Sequence, residues 1–194
     1  MFANPFDYFK TYSEQVSRAL AGIREESYNA AYKTLYNAGR DRARIFVCGN
    51  GGSASIAEHF SCDHSKGVHM DTSLRPDVVS LASNMAVITA IGNDLGFDKI
   101  FSKQLQFANA SCTDILVVVS SSGNSPNIIL AIEQAKKMQV KSFAILGFLG
   151  GKCKALVDVP IHFPVDDMQI SEDLQLIVGH MLMQWLYINR PQKN

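Results

Sequence analysis

The sequence predicts an α/β fold: a doubly wound parallel five-stranded sheet flanked by helices, with two further helices at the N-terminus. Short apolar runs alternate with stretches of helical periodicity, and two of the runs, residues 44–48 and 114–119, each end in a glycine- or serine-rich loop. Strands that alternate with helices favour right-handed βαβ units, and therefore a parallel sheet covered on both faces. Ligands of such sheets bind at the carboxyl ends of the strands, where both loops are expected.

The first 40 residues predict a helical extension. Their apolar side chains recur at helical spacing in two stripes, which consist of Phe6, Phe9, Tyr12, Val16, Leu20 and Ile23, then of Tyr28, Ala31, Tyr32 and Leu35. Neither stripe carries candidate chemistry. We expect this extension to pack on the rest of the domain or on a partner subunit.

The remaining elements follow in order along one undivided chain. The loop after residues 44–48 leads into a helix to about Ser65, and the loop after residues 114–119 leads into a helix through Lys137. The other predicted elements are strands at 78–81, 141–148 and 157–163, a short helix between the last two, and a final helix at about 171–188. No repeat or linker interrupts the sequence, so residues 1–194 are predicted to form a single domain.

Charge and cysteine content limit the function classes. Lys plus Arg and Asp plus Glu both total 18, and this balance argues against a nucleic-acid partner, which requires clustered cations. The four cysteines show no CxxC pair, which is typical of reduced thiols. No apolar run approaches the roughly 20 residues needed to cross a bilayer, and the N-terminal residues do not resemble a signal peptide. We therefore expect a cytoplasmic protein without a membrane partner.

The first loop, Gly-Asn-Gly-Gly-Ser at 49–53, has the composition of an anion-binding turn. Adjacent glycines let backbone N–H groups approach a ligand, and the helix that follows offers unpaired N–H donors and a positive dipole end. No GK[ST] follows and the spacing does not fit GxGxxG, so neither a Walker loop nor a dinucleotide fingerprint is present. By itself, this loop is compatible with a tight turn or an anion site.

The second loop, Ser-Ser-Ser-Gly-Asn-Ser at 120–125, favours the anion site. It places four hydroxyls and a glycine before a helix that begins near Pro126. One serine is enough to cap a helix, and the others match the oxygen-rich surface of a phosphate ester or a sugar. The alternative for the surplus serines is a solvated loop.

Two acid/histidine pairs have helical spacing. His59 and Asp63 lie four residues apart in the helix after the first loop, and Glu172 and His180 lie eight apart in the last helix, so each pair shares a helix face. Two imidazoles and two carboxylates form a plausible shell for a divalent metal. Surface or capping interactions are the alternative explanation for such pairs.

The two loop motifs resemble the signatures of the sugar isomerase (SIS) domain family, whose members bind phosphosugars. The resemblance continues through Ala82-Ser83-Asn84, Gly92-Asn93-Asp94 and the last helix. Within that family the chain is most similar to the small stand-alone phosphoheptose isomerases. The resemblance implies conversion of sedoheptulose 7-phosphate to an aldose phosphate through an enediol, in a homotetramer whose active sites are built at subunit interfaces.

The resemblance also implies roles for individual residues. Asp63 would be the base and His180 the acid, and one zinc ion per subunit would be held by His59, Asp63, Glu172 and His180. The family usually has Glu and Gln where this sequence has Asp63 and Glu172, so both positions keep an oxygen ligand. The implied substrate-binding residues are Asn50, Gly51, Gly52, Ser53, Asn93, Asp94, Ser120, Ser121, Ser122, Ser125 and Glu172.

Two alternatives stay open from the sequence. One is a non-catalytic SIS adaptor that binds the bacterial replication initiator, which the changes at Asp63 and Glu172 favour and the retained His59 and His180 oppose. The other is an isomerase of a different phosphosugar. His64 is expected to be structural although it adjoins Asp63, and His69 and His162 have no motif around them.

Overall fold

The computed structural model describes residues 4–190, which form a five-stranded sheet between layers of helices. All strand pairs are parallel and the spatial order is β2-β1-β3-β4-β5. The interior strand β1 aligns its Ile45 with Val78 on one side and with Ile115 on the other. The strands are β1 (Arg44–Cys48), β2 (Asp77–Ser80), β3 (Ile115–Ser120), β4 (Lys141–Leu146) and β5 (Val159–His162). The predicted fold class is confirmed, with strand ends that differ by a few residues.

Alternate side chains of the central strands pack into two separate hydrophobic cores, one on each face of the sheet. In β1, Ile45 and Val47 pack into one core, whereas Phe46 and Cys48 pack into the other. Successive side chains of a strand point to opposite faces, and both faces of this sheet are covered. The central strands are therefore apolar throughout, which explains their continuous apolar runs.

The helices on the first face include the N-terminal pair and the last helix. They are α1 (Pro5–Ala21), α2 (Glu25–Asp41), α3 (Gly52–Cys62) and α9 (Met168–Ile188). A π-helical segment, Asp63–Val68, extends α3 and leads into α4 (His69–Asp71). Helix α1 packs on α9 of its own chain, where the Tyr12 hydroxyl donates a hydrogen bond of 2.5 Å to Asp173. The extension thus packs on its own domain.

The opposite face carries two helices that the sequence analysis leaves unassigned. It is covered by α5 (Met85–Asp94), α6 (Ile100–Phe107), α7 (Pro126–Lys137) and α8 (Cys153–Leu156). Helix α5 is strongly apolar, yet Ile91 is the one residue of it that the described chain buries. Helices α5 and α6 were missed because neither follows a glycine/serine loop of the kind that marks α3 and α7. Within residues 4–190, no helix is both long enough and apolar enough to cross a membrane.

Candidate active site

The two loops meet at the carboxyl ends of the neighbouring strands β1 and β3. Together with the start of α9 they line a cavity of about 360 Å³, which falls within the size range of small-molecule sites. Its lining residues are Asn50, Gly51, Gly52, Ser53, Val119, Ser120, Ser121, Ser122, Ser125, Met168 and Glu172. All but two of the predicted substrate-binding residues thus face one cavity.

Helix N-termini supply backbone donors to this cavity. Helix α3 begins at Gly52 and α7 at Pro126, so the first turns of both helices open towards the same space. Pro126 has no N–H, and the Ala54 and Ile128 N–H groups donate to the Gly51 and Ser125 carbonyls. The donors left in the two first turns are therefore the N–H groups of Gly52, Ser53 and Asn127, and the helix dipole makes both ends positive. An anion in the cavity would therefore be stabilised without a lysine or arginine side chain.

The serine hydroxyls of the second loop differ in how far hydrogen bonds within the protein already occupy them. The Ser120 and Ser122 hydroxyls accept hydrogen bonds from the Gly123 and Asn124 N–H groups, which leaves their own protons free to donate. Ser122 is exposed, and Ser125 caps α7 without using its side chain. Ser122 and Ser125 are thus the hydroxyls best placed to bind an anion.

Two polar residues that the sequence analysis missed hold the loops together. Asn127, in the first turn of α7, exchanges two hydrogen bonds of 2.8 Å with Asn50. Gln175 of α9 accepts a hydrogen bond from Ser53 and donates one to Ser121. The only sequence signal for Gln175 is an amide among the apolar residues of the last helix. Its partners lie 54 and 122 residues away, so the contacts could not be read from local spacing.

Three of the four predicted metal ligands come together between α3 and α9. The His59 Nε2 atom lies 2.8 Å from His180 Nε2 and 3.4 Å from Asp63 Oδ2, and His180 Nε2 lies 3.5 Å from the same oxygen. Ligand atoms of a tetrahedral zinc ion lie about 3.3 Å apart, given metal–ligand bonds of about 2.0–2.1 Å. Two imidazoles and one carboxylate that converge on one point fit a divalent metal with an open coordination position.

Glu172 does not join this His59–Asp63–His180 group in the described chain. Its carboxylate lies against Gly52 at the loop cavity, so closely that a side chain at position 52 would overlap it. Glu172 precedes His180 by eight residues on α9, which corresponds to about 12 Å along the helix. The structure therefore separates an anion-binding end of the site from an imidazole/carboxylate end.

The remaining histidines lie outside both the anion-binding end and the imidazole/carboxylate end of the site. His64 is buried, stacks on Phe60 and makes a hydrogen bond of 3.0 Å with the Phe60 carbonyl. Burial lowers the pKa of His64 to about 4, so the ring is neutral near pH 7 and belongs to the core. His162 contacts Lys154 and the Phe148 carbonyl at the carboxyl ends of β4 and β5, and His69 is exposed in α4.

Asn93 and Asp94 do not line the loop cavity. Both are exposed at the end of α5, where the Asn93 amide donates a hydrogen bond of 2.8 Å to the Asp94 carboxylate. Within a single chain, Asn93 and Asp94 therefore do not reach a substrate bound in the loop cavity, although the sequence predicts that they contact it.

Comparisons with known proteins identify the family of this chain. A sequence profile of the SIS domain matches residues 7–147. A phosphoheptose isomerase of Helicobacter pylori is 31% identical over 96% of this chain and 95% of its own length, and one of Geobacter sp. is 34% identical over 87% and 86%.

The structure of phosphoheptose isomerase GmhA from Neisseria gonorrhoeae superimposes with a TM-score of 0.82 at 30% identity, covering 93% of this chain and 95% of that one. A phosphoheptose isomerase structure from Francisella tularensis gives a TM-score of 0.84 at 29% identity, over 94% and 96% of the two chains. The profile match and these relatives show that this chain belongs to the SIS domain family.

Proposed function

We propose that the chain is a phosphoheptose isomerase that converts sedoheptulose 7-phosphate to D-glycero-D-manno-heptose 7-phosphate. The observation that carries the proposal is the pairing of a loop cavity suited to phosphate with a histidine/carboxylate group farther along the same helix, α9. The near full-length similarity to phosphoheptose isomerases supports the same substrate.

The reaction needs one proton carrier on each side of an enediol. A base removes a proton from C1 of the ketose while an acid protonates the C2 oxygen; the O1 proton is then lost and C2 is protonated, which gives the aldose. We assign the base role to Asp63 and the acid role to His180, whose reactive atoms lie 3.5 Å apart. Atoms balance without a redox partner because hydrogen only moves between neighbouring carbons and oxygens.

A zinc ion would be held by His59, Asp63 and His180, with Glu172 as the fourth predicted ligand. When bound, the ion would polarise the substrate oxygens on which negative charge develops. The sugar contacts are assigned to Asn50 and Glu172 in the loop cavity. The phosphate is assigned to the Ser120, Ser122 and Ser125 hydroxyls and to the backbone N–H groups of Gly51, Gly52, Ser53 and Ser121. Asn93 and Asp94 would contribute to substrate binding from a second copy of the chain, in a cytoplasmic homotetramer.

The proposal is tested by product analysis with a panel of ketose phosphates. Sedoheptulose 7-phosphate is expected to give an aldose 7-phosphate, whereas unphosphorylated sedoheptulose and the shorter ribulose 5-phosphate are expected to react at least tenfold more slowly. About one zinc ion per chain should be found by elemental analysis, and a Glu172→Ala variant would show whether the fourth ligand is needed. Conversion of a shorter ketose phosphate in preference to the heptulose phosphate would redirect the substrate assignment.

A further inference from the structure

Gln175 is a polar residue in the apolar interior beneath the two loops. It is fully buried and lies between Leu174 and Val178, which belong to the core. A buried amide without partners is costly, but both ends of this one are paired. Its Oε1 accepts from the Ser53 hydroxyl at 3.0 Å, and its Nε2 donates to the Ser121 hydroxyl at 3.3 Å.

The two serines belong to different loops. Ser53 lies in the first turn of α3, after β1, and Ser121 lies in the loop after β3. Both are nearly inaccessible, at 4% and 5% exposure, so their hydroxyls serve the protein interior. Ser53 and Ser121 can therefore offer an anion their backbone N–H groups. The positions of these groups depend on where Gln175 holds each loop.

We propose that Gln175 is a positioning residue that sets the spacing between the two phosphate-binding loops. It acts through Ser53 and Ser121 and does not itself touch the substrate. The inference rests on the proposed function in taking the bound anion to be the phosphate of a sugar.

The test replaces Gln175 by methionine, which keeps the length and removes both hydrogen bonds. The matched control is Gln184→Met, an exposed glutamine on the same helix. Inorganic phosphate and sedoheptulose 7-phosphate are titrated by calorimetry, and kcat, KM and metal content are measured in parallel. In Gln175→Met we expect the Kd for both ligands and the KM to rise about tenfold, comparable to one or two lost neutral hydrogen bonds. We expect kcat within about twofold of the parent and an unchanged metal content.

A double-mutant cycle with Ser121→Ala separates this role from general destabilisation. If Gln175 acts through Ser121, the double variant should lose little more phosphate affinity than Gln175→Met alone. Should Gln175→Met fail to fold, Gln175→Asn replaces it in every measurement, because its amide is one methylene too short to reach both loops. Unchanged phosphate affinity in the folded variant would overturn the proposal, as would an equal fall of affinity, kcat and metal content.

The isomerase function and the positioning role of Gln175 can be refuted separately. A parent protein that does not isomerise sedoheptulose 7-phosphate but binds phosphate in a Gln175-dependent manner would refute the proposed function and support the positioning role. A parent that isomerises the sugar with a KM unaffected by Gln175→Met would support the function and refute the positioning role.

Discussion

At the scale of single residues, the site divides its polar groups between structure and ligand. Ser53 and Ser121 are buried on Gln175, whereas Ser122 is exposed and Ser125 is half-buried with its hydroxyl unused by the helix cap. The sequence places all of these serines in the predicted substrate set alike. Only the folded chain distinguishes them, because burial depends on α9, whose Gln175 lies 54 residues after Ser121 and 122 residues after Ser53.

Replacing Ser122 and Ser125 together by alanine tests which hydroxyls bind phosphate. Hydrogen bonds to a charged group contribute about 1.5–3 kcal/mol each, so the KM for sedoheptulose 7-phosphate should rise about 100-fold. The melting temperature should stay near that of the parent, since neither hydroxyl supports the core. Ser13→Ala, at an exposed position of α1, is the control; an unchanged KM in the double variant would exclude this phosphate assignment.

The ion pair of Arg44 with Asp114 gives a prediction for acid stability. Burial raises the pKa of Asp114, but hydrogen bonds from the Arg44 guanidinium and from the Ser111 and Arg44 backbone outweigh it and leave the pKa below its usual value. A folded-state pKa below the unfolded one stabilises the fold above about pH 4. That stability is lost as the pH falls through the folded-state pKa.

Asp114→Asn should therefore lower the free energy of unfolding at pH 7 by about 2 kcal/mol. The difference from the parent should shrink as the pH falls below about 4, because the parent carboxyl then becomes neutral as well. Urea unfolding at several pH values measures this. Asp41→Asn, whose pair with Arg40 is exposed, should show no such trend; a pH-independent difference at Asp114 would contradict the explanation.

At the scale of elements, the strand–loop–helix units could be predicted and their neighbours could not. The strands before residues 49–53 and 120–125 are apolar runs that end in glycine or serine, a local pattern that needs no tertiary information. Helix α5 lacks such a pattern because it is apolar nearly all round, while the described chain buries only Ile91. The separation of Glu172 from the His59–Asp63–His180 group was also not predicted. A spacing of eight residues places two side chains on one face of a helix, but it does not determine which neighbouring groups each side chain contacts.

The serine loop packs on the loop after β4 through backbone contacts. Gly123 has φ of +64°, and a Cβ atom there would overlap the Gly150 carbonyl. Gly123→Ala should therefore lower the melting temperature by several degrees and weaken phosphosugar binding. Gly51→Ala is the matched comparison, since Gly51 has φ of +56° but open space around it and should cost only about 1 kcal/mol. An equal fall of the melting temperature in the two variants would contradict the role given to this packing.

At the scale of the whole molecule, apolar surface remains exposed on two sides. Phe6 and Phe9 on α1 are about 60% exposed, and so are Met85 at the start of α5 and Phe97, three residues beyond its end. Phe6 and Phe9 stack on each other. Clustered exposed apolar side chains mark an interaction site, and closed symmetric assemblies are the usual result. Asn93 and Asp94 lie at the end of α5, which agrees with an active site completed by a second copy.

Light scattering should accordingly give about four times the chain mass of 21.3 kDa at micromolar concentration. A Met85→Asp substitution places a charge on the exposed face of α5 and should shift the protein to smaller species. It should also reduce isomerase activity, because Asn93 and Asp94 would lose their place at the neighbouring site. A parent protein that is monomeric and active would rule out a site completed by a second copy.

The proton transfer through an enediol is tested most directly by running the reaction in D₂O. With sedoheptulose 7-phosphate as substrate, the parent protein should form the aldose 7-phosphate carrying deuterium at C2, seen by NMR as loss of the C2 proton signal. Asp63→Asn should bind the sugar phosphate but form product at least 100-fold more slowly, the effect typical of losing a general base. A parent that binds the sugar and forms no aldose would contradict the account, as would an Asp63→Asn variant as active as the parent.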